Sequence, residues 1–263
     1  MTKIFEGVCT ALVTPFSNGS VDLKALGRLI ETQDPVQALL ILGTTGEAAS
    51  LTDKERDDII SWTIKRTDKP VIVGASGNSI DKVLGMVRQA KRLGANAVLV
   101  TPPYYIRGTQ DGIVEWFKEI GKVGIPVIVY NIPGRAGVNI APETMAQICK
   151  DKAVVGIKES SGNIEQIADV LRLCPDTPVY CGDDAFSLPC YAMGSSGVIS
   201  VASNAKPAEV VSVWETKAAE IYLEQLPFYR SLFDEVNPVP IKKVLSDMGL
   251  IKNEVRAPLT VLV

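Results

Sequence analysis

The fold class this sequence predicts is α/β, a (β/α)8 (TIM) barrel, and three observations predict it. Eight short apolar runs rich in β-branched residues recur along the 263 residues, segments with apolar residues at helical spacing separate them, and each run ends in polar or glycine-rich residues. Alternating β and α implies a parallel sheet with right-handed crossovers, and eight such units suit a closed barrel, which commonly needs about 250 residues. A doubly wound open sheet is the alternative topology for the same pattern.

In order, the runs are VCTALVTP, ALLILGTTGE, PVIVGASGN, NAVLVTPPYY, PVIVYNIPGR, AVVGIKESSGN, PVYCGDD and GVISVAS. Intervening segments such as DKERDDIISWTIKRT and SIDKVLGMVRQAKRLG carry apolar residues on one helical face and charges on the other. From about residue 208 the pattern is helical only, with VVSVWETKAAEIYLEQLPFYRSLFDEV and then PVPIKKVLSDMGL. The expected division is a barrel over residues 1–222, ending with its eighth helix, and a short C-terminal helical appendage over 223–263.

Composition narrows the function. With 46% hydrophobic and 22% charged residues, one large globular domain fits better than several small ones. A net charge of -3 without a basic block gives no electrostatic footprint for nucleic acid or an anionic membrane, so neither is expected as a partner. The N-terminal MTKIFEGVCTALVTPF lacks the apolar core of a signal peptide, and no run has the length to span a bilayer, so the expected location is cytoplasmic. Cysteines at 9, 149, 174, 181 and 190 are odd in number and lack CxxC spacing, which argues against a disulfide framework or a zinc site. The absence of histidine removes Ser-His-Asp and Cys-His nucleophiles and every imidazole-based metal site.

The polar strand ends would converge at one mouth, where barrels of this class build their sites. Lys158, Tyr130, Arg135, Thr44, Thr45 and Tyr105 are therefore candidates to meet in space. Strand alternation gives Val154, Gly156 and Lys158 one facing, opposite to Val155 and Ile157, and with Lys158 pointing inward Gly156 would leave space beneath its stem. An ammonium is disfavoured away from water, and a neutral amine is the species that attacks a ketone to form a Schiff base. The plainer alternative is a lysine snorkelling to solvent or paired with Glu159.

Tyr130 closes the preceding strand and can relay protons through one oxygen, while Arg135 offers a planar fork for a carboxylate. Their plainer roles are a rim-filling ring and an exposed cation. GTTGE supplies two hydroxyls in a glycine-flanked turn, which could cradle a small carboxylate or serve as ordinary strand-end turn chemistry. The paired tyrosines of TPPYY equally suit an oligomer interface.

GTTGE, TPPYY, YNIPGR, GIKES, GDD and GVISV, in this order, with EVNPVPIK in the appendage, resemble the dihydrodipicolinate synthase family of the pyruvate-dependent class I aldolases, a superfamily that includes N-acetylneuraminate lyase. The resemblance covers the whole barrel. It implies that Lys158 forms an imine with pyruvate, so that no separate cofactor is needed, and that Thr45 holds the pyruvate carboxylate. Tyr130 would be the acid/base, linked through Thr44 to Tyr105 from a partner subunit, so a homodimer or homotetramer is implied. Arg135 would receive the carboxylate of L-aspartate 4-semialdehyde, and Gly182 and Ile199 would line the cavity through backbone atoms. The product would be 4-hydroxy-tetrahydrodipicolinate, in lysine and diaminopimelate biosynthesis.

Two other activities fit the resemblance: a lyase or aldolase acting on a sugar acid, were Arg135 turned away, and a silent binding barrel. Lysine-inhibited relatives use a glutamate and a histidine where this chain has Lys82 and Arg56, although Asn78 and Tyr104 match. An ammonium in place of a carboxylate repels the effector's amino group, so weak or absent inhibition by lysine is expected.

Overall fold

A computed structural model describes residues 3–262. Strand β1 (Gly7–Ala11) comes first, followed by a hairpin of β2 (Phe16–Ser17) and β3 (Ser20–Val21). Then come β4 (Ala38–Ile41), β5 (Val71–Gly74), β6 (Ala97–Val100), β7 (Val127–Asn131), β8 (Val154–Glu159), β9 (Val179–Cys181) and β10 (Gly197–Ser200). All strands outside the hairpin join one closed barrel of parallel pairs, and β10 returns to β1 from Gly7↔Gly197 to Thr10↔Ser200. Closure excludes the open doubly wound sheet, and each of the eight runs supplies one barrel strand.

The helices are α1 (Leu23–Thr32), α2 (Asp53–Ile64), α3 (Ile80–Leu93), α4 (Gln110–Gly121), the single turn α5 (Pro133–Ala136), α6 (Pro142–Ile148), α7 (Ile164–Leu173), α8 (Ser187–Ala192) and α9 (Pro207–Thr216). Local chemistry sets their ends. Thr52 and Glu55 form a reciprocal capping box at the start of α2, a motif whose N-cap alone contributes about 1 kcal/mol. Gly94, at φ 95°, closes α3 in a conformation that a side chain would strain.

Two further helices follow, α10 (Ala219–Ser231) and α11 (Val239–Asp247). The expected division at 222/223 falls inside α10, whose Tyr222 hydroxyl donates to the Ala185 carbonyl on the barrel.

The core has two layers. Side chains such as Val73, Val129, Ile157 and Val198 pack outward under the helices, while Cys9, Leu40, Ile72, Leu99, Ile128, Tyr130, Tyr180 and Ile199 fill the interior. Tyr180 stacks on Phe5 at 4.2 Å between ring centroids and donates its hydroxyl to the Phe5 carbonyl at 3.0 Å, forming the barrel floor. A Cβ at Gly156 would lie 2.9 Å from the Tyr180 ring, and one at Gly197 would lie 3.1 Å from it. The space beside Gly156 thus belongs to Tyr180, not to the Lys158 stem.

The expected alternation in β8 needs a second correction. Val127 pairs with Val154 and Ile128 with Gly156, so one residue of β8 is left over at a bulge. Val154 consequently joins the outer layer and Val155 packs against the interior one. Beyond the bulge Gly156 and Lys158 face inward as expected.

The hairpin is absent from the sequence reading, although Asn18-Gly19 carried its signal. Both residues adopt positive φ, 54° and 77°, as a two-residue turn between twisted strands requires.

Candidate active site

Lys158 lies in the last turn of β8, only 6% exposed, and pairs in register with Tyr130 on β7 and Tyr180 on β9. Its Nζ stands 4.3 Å from the centre of the Tyr130 ring, which is itself buried. An ammonium over a tyrosine face gains about 1–2 kcal/mol, and the same placement brings the phenol to the amine.

Glu159 is not the partner of Lys158. Its carboxylate accepts from Asn131 Nδ2 at 3.1 and 3.0 Å and from the Ser161 N–H at 2.8 Å. Asn139 and Gln166 extend this cluster on the outer side of the strands. Burial raises the Glu159 carboxyl above its ordinary value, against the lowering effect of these hydrogen bonds. The lysine therefore faces the funnel free of its sequence neighbour, which disposes of the snorkelling and ion-pair alternatives.

Cys9, also in the interior, is held as a neutral thiol, because burial pushes it far up despite the opposing effect of Lys158. A thiol held neutral is a poor nucleophile.

Gly182 follows β9 and its N–H donates to the Glu159 carbonyl at 2.9 Å. A Cβ there would fall 1.9 Å from Ser160 Oγ and 2.8 Å from Lys158 Cε, so the lysine stem occupies the space a side chain would need. Ile199 is fully buried on β10 and belongs to the interior layer.

Thr44 and Thr45 form the turn after β4. Thr44 is half-buried and its carbonyl accepts from the Glu47 N–H at 3.0 Å. Thr45 is buried, and its Oγ1 accepts from Asn237 Nδ2 at 3.0 Å. The Asn237 carbonyl accepts in turn from Arg135 Nη2 at 3.0 Å. Arg135, exposed on α5, is thus turned toward the Thr45 side of the mouth.

Tyr105 behaves differently. It is 87% exposed, at φ 74°, with its N–H donating to the Ala136 carbonyl at 3.1 Å. Beside it Ile106 is 59% exposed. Within one chain this tyrosine is therefore not part of the buried cluster that Lys158 and Tyr130 form.

The sequence reading assigned nothing to Asn237, Glu47 or Lys242, although each lies in a quoted motif. Glu47 and Lys242 form a buried ion pair, and burial lowers Lys242 to about 8 in spite of Glu47. The available signal was a charge inside each of two apolar stretches. Arg56 is buried, with Nη2 donating to the Gly74 carbonyl at 2.8 Å, whereas Lys82 is exposed on α3. Among the described residues no cluster of acidic or cysteine side chains could hold a metal ion.

A lysine and a tyrosine on neighbouring strands, and a hydroxyl turn and an arginine joined through one asparagine, all stand at or just beyond the C-terminal ends of barrel strands. The family model for the dihydrodipicolinate synthetase family matches residues 4–263. The chain belongs to the dihydrodipicolinate synthetase family. Among its relatives, the 4-hydroxy-tetrahydrodipicolinate synthase of Alkaliphilus oremlandii is 44% identical over 98% of this chain and 93% of that protein. The enzyme of the same name from Thermotoga neapolitana is 45% identical over 97% and 93%. The crystal structure of dihydrodipicolinate synthase from Thermotoga maritima superimposes with a TM-score of 0.97 at 42% identity, over 99% of this chain and 94% of the other. The family assignment thus extends over both the barrel and the C-terminal helices.

Proposed function

We propose that the protein is a Schiff-base synthase that condenses pyruvate with L-aspartate 4-semialdehyde to 4-hydroxy-tetrahydrodipicolinate, in lysine and diaminopimelate biosynthesis. The names of its relatives support that activity. The observation that carries the choice of substrates is the link from Arg135 through Asn237 to Thr45, which sets two groups suited to carboxylates on one side of the mouth. A sugar-acid lyase would be favoured by an arginine turned away.

In this reading the Lys158 amine attacks the pyruvate ketone and releases water as the imine forms. Thr45 donates its hydroxyl to the pyruvate carboxylate, because that oxygen already accepts from Asn237. The protonated imine draws electrons as the pyruvate methyl loses a proton, and Tyr130, beside Nζ, passes protons to and from the site. The resulting enamine carbon attacks the aldehyde, forming the carbon–carbon bond. The amino group of the second substrate then adds to the imine carbon and expels the Lys158 amine, so ring closure regenerates the enzyme. One water is lost overall.

Tyr105 is exposed enough to reach a second copy of the chain and complete its Tyr130–Thr44 relay, so the working unit is at least a dimer. The reaction needs no metal or separate cofactor. Among the described residues no helix is long and apolar enough to cross a membrane. The proposed biosynthetic role is a cytoplasmic one. Lysine inhibits weakly or not at all, since Arg56 is engaged by Gly74 and Lys82 carries the wrong charge.

The test is to supply pyruvate with L-aspartate 4-semialdehyde and, separately, N-acetylneuraminate. The expected result is equimolar loss of the first two with a heterocyclic product detected by mass. Release of pyruvate from the sugar acid without condensation would overturn the reading.

A further inference from the structure

We infer that Glu47 is a positioning residue for the pyruvate-binding turn, held in place by Lys242 and by a strap of residues 254–256. This rests on the reading that Thr44 and Thr45 serve pyruvate.

Glu47 ends that turn with its backbone at φ 51°, a left-handed conformation uncommon for a residue with a long side chain. Something must hold it there. Its N–H donates to the Thr44 carbonyl at 3.0 Å, while its carboxylate accepts from Lys242 Nζ and, at 2.9 Å, from the Arg256 N–H. The two charged side chains are 3% and 0% exposed.

Lys242 makes a second hydrogen bond, to the Glu254 carbonyl at 2.8 Å, and stands 4.1 Å above the Phe16 ring. Glu254 accepts through its carboxylate from the N–H groups of Asn18 at 2.9 Å and Gly19 at 2.5 Å. The Arg256 guanidinium pairs with Glu55 and donates to the carbonyls of Ser50 at 2.9 Å and Gly19 at 2.8 Å. Two residues of the strap, Glu254 and Arg256, thus bind the hairpin, the start of α2, α11 and the turn to one another.

None of these groups reaches the reacting atoms, so chemistry alone does not explain them. Nor does stability, because well-packed apolar residues commonly replace a buried ion pair without loss. What the pair supplies is direction: it permits a single seating of Glu47 and therefore one orientation of the preceding hydroxyls. The turn is held from the other side as well, by Thr14 Oγ1 donating to the Gly46 carbonyl at 2.7 Å. Small displacements of groups that bind a carboxylate weaken binding before they abolish chemistry.

The experiment measures the pyruvate concentration that half-saturates borohydride-trapped adduct, together with thermal midpoints. It compares the wild type with the Glu47→Gln/Lys242→Met double variant, which leaves no unpaired buried charge, and with Arg256→Met, which loosens the strap near the surface. Half-saturation is expected to rise about tenfold in the double variant and about threefold in Arg256→Met, with maximal labelling retained. Values within about twofold of the wild type in both, even with lowered midpoints, would make the pair structural and overturn the inference. A wild type that takes no adduct would remove the underlying functional reading and this inference with it.

Discussion

Asn237 donates from Nδ2 to the Thr45 hydroxyl at 3.0 Å, although the two residues lie 192 positions apart in sequence. The bond fixes which way that hydroxyl can give its own proton. Since the carbonyl of the same asparagine holds Arg135, one residue of the C-terminal region holds both Thr45 and Arg135.

Asn237→Ala should therefore impair recognition more than chemistry. Loss of one neutral hydrogen bond of about 1 kcal/mol predicts a KM for pyruvate raised about fivefold, with kcat within about threefold. Steady-state kinetics in each substrate check this. A fall in kcat at unchanged KM would contradict it.

Gly182→Ala and Gly156→Ala should separate function from stability. The Cβ at 182 would lie 2.8 Å from Lys158 Cε, so displacement of the amine is expected to cost at least about a hundredfold in kcat/KM. At 156 the obstacle is the Tyr180 ring, and overpacking predicts about 1–3 kcal/mol of lost stability with activity largely kept. Urea unfolding and initial rates on both variants distinguish the two effects.

Acid should weaken the strap. Hydrogen bonds from Arg256 hold the Glu55 carboxyl at about 2, against an ordinary 4.5. A carboxyl lowered on folding contributes stability that is fully present above 4.5 and is lost as pH falls toward 2. Discounted for its exposure to solvent, the contribution is about 1 kcal/mol. Glu55→Gln should be less stable than the wild type by that amount at neutral pH, and the gap should shrink at about pH 3, as read by urea denaturation at both values.

Tyr105 should act across subunits. Lys158→Met and Tyr105→Phe chains are each expected to be nearly inactive alone. Refolded together, half of the dimers should carry one site with an intact lysine and a partner's intact tyrosine, restoring about a quarter of wild-type activity. Were the tyrosine to serve its own chain, mixing would restore nothing.

The barrel was legible because its period is plain: each apolar run ends in residues no buried strand would keep, and Tyr130 and Lys158 came out as register partners. What escaped had weaker local signals. The bulge at 154–156 arises from pairing with β7, which alternation within one strand cannot reveal. The floor formed by Phe5 and Tyr180 joins residues far apart in sequence, so the demand on Gly156 could not be read nearby. Asn237, Glu47 and Lys242 sat in quoted motifs, yet their work depends on contacts between the two ends of the chain. Tyr105, a site candidate by its motif, is exposed in the single chain.

In the proposed mechanism every later step depends on an imine between the Lys158 amine and pyruvate. Borohydride reduction in the presence of pyruvate, followed by peptide mass mapping, tests it most directly. One reduced adduct per chain is expected, on Lys158, and none in Lys158→Met. An adduct on another lysine, or no adduct in the wild type, would contradict it.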